Sequence, residues 1–88
     1  MDPAADLLLV GLRVGDRVRF RRVEGGHWVE GTVKGRERDG SIALHDTRGA
    51  ARAITLDRLE VLRRSSRGRP VWRAVAVIAA TDEQLGFW

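Results

Sequence analysis

The chain has 88 residues, which is enough for one small domain. It has no cysteine, and this absence excludes a disulfide framework, a zinc ribbon and thiol chemistry. Its two histidines, His27 and His45, are far apart in the sequence, so we expect neither a metal site nor a cofactor. The longest apolar run, residues 71–80, is interrupted by Arg73 and is too short to span a bilayer. The first residues lack the positive charge of a signal peptide, and we therefore predict a cytoplasmic protein.

The formal net charge of +4 is unevenly distributed. Residues 13–22 carry five arginines against one aspartate, and residues 63–73 carry five arginines and no acid. Such clusters are typical of a surface that meets an anionic partner. Lys34 is the only lysine, and this preference for arginine has two explanations: a GC-rich coding genome, or selection for the planar fork that grips phosphate.

The N-terminal residues predict a short helix over residues 3–10. Asp2 is a suitable cap, Pro3 suits the first helical position, and Gly11 can end the helix. We expect its leucines to lie on the rest of the domain. Residues 7–10 are also compatible with an extension of a strand.

From Val14 the apolar period changes to two. Val18 and Phe20 alternate with Arg17, Arg19 and Arg21. This pattern predicts a strand with one buried face and one arginine face.

Further strands follow at short intervals. Gly25-Gly26 and Asp39-Gly40 are turn signals on either side of a second strand over residues 28–36, in which Val29 and Val33 are expected to point inward. The remaining pattern predicts strands at 41–46, 50–55 and 60–63, with one 3₁₀ turn at 56–59. The fold class is therefore mainly β: a small five-stranded antiparallel barrel with a short N-terminal helix and a C-terminal extension.

Three segments resemble the SH3-like small barrels, a group that includes Tudor and KOW domains. They are Gly-Asp-Arg-Val-Arg-Phe at 15–20, Trp-Val-Glu-Gly-Thr-Val at 28–33 and Gly-Ser-Ile-Ala-Leu at 40–44. The resemblance covers about residues 14–63 and implies an SH3-like barrel that binds RNA, DNA, methylated side chains or peptides. The chain has no tyrosine, and only Phe20 and Trp28 lie in these strands, so we expect no aromatic cage.

The chain divides into a single domain with four parts. Residues 1–12 form the N-terminal helix or arm, 13–63 the barrel, 64–70 a basic polar connector and 71–88 the C-terminal extension. Within 71–80 the pattern fits either a strand or a helix. The β-branched residues favour a strand at its start, and the alanines favour a helical turn at its end.

The arginine face of the first strand and the basic connector are the first candidate site. Together they are expected to neutralise phosphates, with Trp28 or Trp72 stacking on a base. The alternative is a solvated surface partly paired with Glu24, Glu30, Glu37 and Asp39. The candidate nucleic-acid contacts are Arg17, Arg19, Arg21, Arg22, Lys34, Arg63, Arg64, Arg67, Arg69 and Arg73.

The C-terminal peptide Gln84-Leu85-Gly86-Phe87-Trp88 is the second candidate site. It resembles the bacterial DNA sliding-clamp-binding motif Gln-Leu-(Ser or Asp)-Leu-Phe, from which it departs at Gly86, Phe87 and Trp88. The resemblance implies that Gln84 forms hydrogen bonds in a polar subsite and that Leu85, Phe87 and Trp88 fill an apolar pocket of the clamp. The alternative is that the two aromatic residues fold back onto the barrel.

We expect no catalytic residues. His45 and Asp46 are adjacent on a predicted strand and therefore point to opposite faces, and the sequence has no Ser-His-Asp set, phosphate loop or dinucleotide fingerprint. The sequence predicts a non-enzymatic adaptor that acts at DNA and docks on the sliding clamp or another replication or repair protein. The alternative is a pure protein-interaction domain, such as a phage-encoded or regulatory binder of a host protein. The choice of DNA or RNA and the oligomeric state stay open.

Overall fold

Alternating apolar residues build one antiparallel sheet in the computed structural model, which describes residues 3–78. A short helix precedes the sheet, and residues 75–78 are helical again. The elements are α1 (Pro3–Leu8), β1 (Arg17–Arg21), β2 (Trp28–Arg36), β3 (Ile42–Asp46), β4 (Ala51–Ile54), a 3₁₀ turn (Leu56–Arg58), β5 (Leu59–Arg64) and β6 (Pro70–Ala74).

The strand order is β4-β3-β2-β1-β5-β6. Strands β1 to β4 form a meander, and β5 returns to pair with β1, with Val18 opposite Val61. The mainly β class is thus confirmed, but the sheet has six strands rather than five, because residues 70–74 pair with β5. The sheet is open in the described part of the chain, with β4 and β6 at its edges.

The core lies against one face of the sheet, as the alternation in β1 predicts. Val18 and Phe20 are buried, while Arg17 is exposed and Arg19 and Arg21 are half-buried. The other buried apolar residues come from every strand except β6 and from the segments that flank the sheet. They are Leu7, Val10, Leu12, Val33, Ile42, Leu44, Ile54, Leu59, Val61 and Val75, with Val29 packed against them.

The N-terminal helix differs from the prediction in its length and in its buried residues. It ends at Leu8 instead of Val10. The chain then turns at Gly11, whose φ is 76°. Only Leu7 among the three leucines is buried; Leu8 and Leu9 are 56% and 70% exposed. A helix of six residues can turn only one narrow stripe towards the sheet, and the chain beyond it supplies the remaining contacts.

The segment that allowed two interpretations adopts both structures in succession. Residues 70–74 form β6 and residues 75–78 are helical, so within the described residues the β-branched start is a strand and the residues after it are helical. Trp72 lies in the strand, and Val75 reaches the core. The basic connector is the turn of the β5–β6 hairpin, in which Gly68 has a φ of 80° and Ser65 N–H donates to the carbonyl oxygen of Arg69.

Candidate nucleic-acid interface

The sheet has a second face, opposite the core, which we call the outer face. Strand alternation and register bring side chains of β1, β2, β5 and β6 together there. Arg21 is opposite Trp28, Arg19 lies between Glu30 and Glu60, and Leu62 is opposite Trp72. The outer-face residues are Arg17, Arg19, Arg21, Trp28, Glu30, Thr32, Glu60, Leu62, Arg64 and Trp72.

A cluster of tryptophan and arginine side chains lies on the outer face. The guanidinium carbon of Arg19 lies 4.0 Å from the ring centroid of Trp28 and 4.6 Å from that of Trp72. The guanidinium carbon of Arg21 lies 4.3 Å from the Trp28 centroid. Each contact of this kind contributes about 0.5–1 kcal/mol at an exposed site. We call these four residues, Arg19, Arg21, Trp28 and Trp72, the Trp–Arg cluster; they form a cationic and partly aromatic part of the outer face.

Two glutamates reduce the positive charge of this face. Glu60 Oε1 accepts from Arg19 Nε at 2.7 Å and lies 2.6 Å from its Nη2. Glu30 Oε1 lies 3.3 Å from Arg17 Nε, in a more exposed pair. The alternative of a partly paired arginine surface matches the structure at Glu30, which pairs with Arg17. Arg19 pairs instead with Glu60, which the sequence did not reveal as a partner.

One predicted contact residue has a structural role instead. Arg63 is half-buried, and its Nη2 lies 3.1 Å from Asp16 Oδ2 and also donates to the carbonyl oxygen of Gly11. These bonds tie β5 to the segment that follows α1. Arg63 therefore has little capacity left for a phosphate.

The other predicted basic residues lie in several places. Lys34 is exposed at the irregularity between Val33 and Gly35 in β2. Arg73 is exposed and lies opposite Val61, on the other side of β6 from Trp72. The turn of the β5–β6 hairpin carries Arg67 and Arg69.

The remaining two of the ten are Arg64 and Arg22. Arg64 donates to the carbonyl oxygen of Gly68 within its own hairpin. Arg22 is exposed just beyond the end of β1. The structure therefore gathers Arg17, Arg19 and Arg21 beside two tryptophans and does not unite all ten basic residues on one surface.

Asp46 is the buried acid of the sheet, at the end of β3. Its Oδ1 accepts from the backbone N–H groups of Arg48 and Ala50, and its Oδ2 accepts from Arg52 Nε at 2.8 Å. The hydrogen bond from Arg52, followed by that from Ala50, holds the pKa of Asp46 below its usual range. His45 is exposed on the opposite side of the strand, as predicted, so the two residues form no dyad.

Two features of the interface were not recognised in the sequence. Glu60 is recognisable as the partner of Arg19 only when β5 pairs with β1. This pairing places the two residues opposite each other although they are 41 positions apart in the sequence. Arg48 is exposed in the β3–β4 turn and lies near Arg22 and Trp28 around one groove. Neither residue belongs to a charge cluster in the sequence, so no local signal identifies them.

The predicted docking peptide, residues 84–88, lies outside the described residues. Within residues 3–78 no helix has the length and apolar character needed to cross a membrane. The same part of the chain has no group of three or more His, Cys, Asp or Glu residues suited to a metal ion.

Comparison of the chain with protein families, with curated proteins and with solved structures finds no match. The functional argument therefore depends on the chemistry of the surfaces themselves.

Proposed function

We propose that this protein is a non-enzymatic binding module whose outer face contacts a single strand of nucleic acid, with DNA as the expected partner. The observation that carries the proposal is the Trp–Arg cluster, in which Arg19 is stacked between two tryptophan rings. Indole rings and guanidinium planes both stack on nucleobases, and stacking on an aromatic ring contributes about 1–3 kcal/mol per base. An open sheet face can accept bases that a duplex keeps stacked inside.

The surrounding charges support phosphate contacts without sequence specificity. Arg17 and Arg64 are exposed on the same face as the cluster, and Arg21 is half-buried within it. Phosphate contacts provide affinity and position but read no sequence. Four such contacts to a single strand would give a slope of roughly −3 for the logarithm of the binding constant against the logarithm of salt concentration.

Titration with a single-stranded oligonucleotide and with a duplex of equal charge, each at 50 and 200 mM salt, tests this function. We expect the single strand to bind more tightly at both concentrations. Trp28→Ala and Trp72→Ala should each weaken binding by about 5- to 150-fold, which corresponds to one lost base stack. Trp28→Phe is the matched control, because it keeps an aromatic ring and should retain most of the affinity. Absence of oligonucleotide binding at 50 mM salt would exclude the proposal.

The C-terminal peptide extends this proposal to an adaptor role. We propose that Gln84, Leu85, Phe87 and Trp88 dock on the DNA sliding clamp or on another replication or repair protein. The support is the resemblance of these residues to the clamp-binding motif. Burial of one leucine and two aromatic side chains is compatible with about micromolar affinity at best, once the cost of ordering the peptide is included.

Deletion of residues 84–88 separates docking from folding. If the peptide docks on a partner, the melting temperature should stay almost unchanged and capture of a purified clamp should be lost. Gln84→Ala should weaken capture without changing stability, since its hydrogen bonds exist only in the complex. A deletion variant that melts several degrees lower and still captures the clamp would contradict docking and assign the aromatic residues to the fold.

A protein-interaction domain with no nucleic-acid role is the second candidate. The pairing of Arg17 and Arg19 with glutamates favours it, because these pairs reduce the charge offered to phosphate. Tryptophan and arginine are also enriched among the residues that dominate binding energy at protein interfaces. Loss of oligonucleotide binding together with retained capture of a protein partner would favour this candidate.

An SH3-like relationship and a cytoplasmic location belong to the same proposal. The pairing of β5 with β1 supports the first, because a meander begins to curl into a barrel when a later strand returns to its first strand.

A further inference from the structure

A groove lies at one end of the sheet, between the β1–β2 turn and the β3–β4 turn. It has a volume of about 590 Å³, which is within the usual range for small-molecule sites. Arg22, His27 and Trp28 line one side, and Thr47 and Arg48 line the other. The groove is distinct from the outer face but shares Trp28 and Glu30 with it.

The groove has positive charge that the described part of the chain does not neutralise. Both acids at its wall have other partners: Asp46 binds Arg52 and two backbone N–H groups, and Glu30 pairs with Arg17. The side chains of Arg22 and Arg48 are exposed and form no hydrogen bond or ion pair within residues 3–78. Two arginines from different turns therefore remain available to an anion.

Trp28 connects this groove to the outer face. Its side chain lines the groove and also a smaller cavity of about 340 Å³ that includes Arg21 and Glu60. The residue is 38% exposed, and a base that stacks on its indole would displace the Arg21 guanidinium, which lies 4.3 Å from the ring centroid. A base stacked on Trp28 would leave its phosphate close to the two turns.

We propose that this groove binds a nucleotide that carries a terminal phosphomonoester, with the phosphate held by Arg22 and Arg48 and the base stacked on Trp28. This proposal deepens the proposed function. It rests on that function if the nucleotide is the end of a bound strand, and it does not if the nucleotide is free. A terminal phosphate carries a charge of about −1.5 to −2 near neutral pH, whereas an internal phosphodiester carries one negative charge. A pair of arginines therefore favours the phosphorylated end over any internal position.

The test compares three oligonucleotides of one sequence: a 5′-phosphorylated strand, a 3′-phosphorylated strand and a strand with hydroxyl groups at both ends. Adenosine monophosphate and inorganic phosphate are titrated separately. We expect one phosphorylated strand to bind about tenfold more tightly than the hydroxyl strand, as for one additional charge-assisted hydrogen bond. Saturable binding of adenosine monophosphate would identify the free nucleotide as a second source of the ligand.

Variants of the two arginines assign the phosphate preference to the groove. Arg22→Ala and Arg48→Ala should each remove most of the preference. Arg48→Ala should also change the affinity for the hydroxyl strand by less than about twofold, because Arg48 is not among the candidate nucleic-acid contacts. Arg38→Ala is the matched control, because Arg38 is an exposed arginine in the β2–β3 turn, at the opposite end of β2 from Trp28. It should leave the preference intact.

The outcomes separate this proposal from the proposed function. Equal affinity for phosphorylated and hydroxyl strands would overturn the proposed phosphate site in the groove and leave the proposal of single-strand binding intact. Binding of adenosine monophosphate that depends on Arg22 and Arg48, with no binding of any oligonucleotide, would overturn single-strand binding and keep the groove. Inorganic phosphate that binds as tightly as the nucleotide would overturn the stacking role of Trp28.

Discussion

The two faces of β1 use the same backbone for different purposes. On the inner face Val18 and Phe20 are buried in the core, where apolar area leaves water and every neighbour is fixed by packing. On the outer face Arg17, Arg19 and Arg21 contact glutamates and tryptophans at the surface. The comparison indicates that the inner face stabilises the fold, and we propose that the outer face binds the partner.

The energies of the two faces differ accordingly. Burial of a large apolar side chain contributes about 1.5–3 kcal/mol, and its removal also leaves a cavity. A partly exposed ion pair contributes about 0.2–1 kcal/mol, because water screens the charges and long side chains lose entropy. Substitutions on the inner face should therefore change stability, and those on the outer face should mainly change affinity.

Phe20→Ala should have the largest effect on stability. Phe20 is 1% exposed at the centre of the core, and truncation of such a residue costs about 3–5 kcal/mol. This is a large share of the stability of a small domain. Urea denaturation measures the loss, and Phe20→Leu, which keeps most of the volume, is the control. A loss below about 1 kcal/mol would contradict the central position of Phe20.

Gly31→Ala tests the close approach of β2 and β3 on the inner side. A Cβ at this position would lie 2.6 Å from the carbonyl oxygen of His45 and 2.7 Å from Leu44 Cδ1. The carbonyl belongs to a paired strand and cannot move alone, so we expect a loss of about 1–3 kcal/mol in thermal denaturation. Thr32→Ala, at the next and exposed position, should leave the melting temperature nearly unchanged. Equal melting of both variants would contradict this register.

Asp46 makes the inner side sensitive to acid. Hydrogen bonds lower its folded-state pKa below the usual value of 3.8, so the carboxylate stabilises the fold above that value. This contribution should be lost as the pH falls from about 4 through the lowered folded-state pKa. Asp46→Asn should be less stable at pH 7 and lose less stability between pH 5 and pH 2.

A matched variant isolates the acid response of Asp46. Asp57→Asn changes an exposed acid in the 3₁₀ turn and should retain the acid sensitivity of the unmodified protein. Thermal denaturation at intervals of half a pH unit provides the comparison. An unchanged acid response in Asp46→Asn would assign the sensitivity to other carboxylates.

Arg19→Ala should have a smaller effect on stability than Phe20→Ala and would sharpen the contrast between the two faces of β1. It removes the pair with Glu60 and two contacts with tryptophan, which sum to about 1.2–3 kcal/mol, and we expect the lower end of this range because water screens part of the charge. Oligonucleotide affinity should fall by a larger factor than stability. Arg19→Lys keeps the charge but loses the planar group, and it should recover only part of the affinity. A loss as large as that of Phe20→Ala would place Arg19 among the residues that hold the fold together.

The sequence by itself determined most of the secondary structure. Alternation of apolar residues located β1, β2 and the buried positions of Val18, Phe20 and Val33, because a strand turns successive side chains to opposite faces. The Asp-Gly turn and the 3₁₀ turn were also predictable, since their signals are local. The end of α1 was less accurate, because Leu8 and Leu9 continue an apolar run but have no surface to cover.

Only the tertiary structure decided which of these residues act together. Arg19 meets Glu60 and Trp72 through the pairing of β1 with β5 and of β5 with β6, and these contacts span more than 40 residues. The same pairing turned Arg63 from a candidate phosphate contact into a tie to Asp16, and it separated Arg73 from the outer face. A charge cluster in the sequence records how many arginines are near one another along the chain. Their directions and partners follow from strand register, which is fixed only when the whole sheet forms.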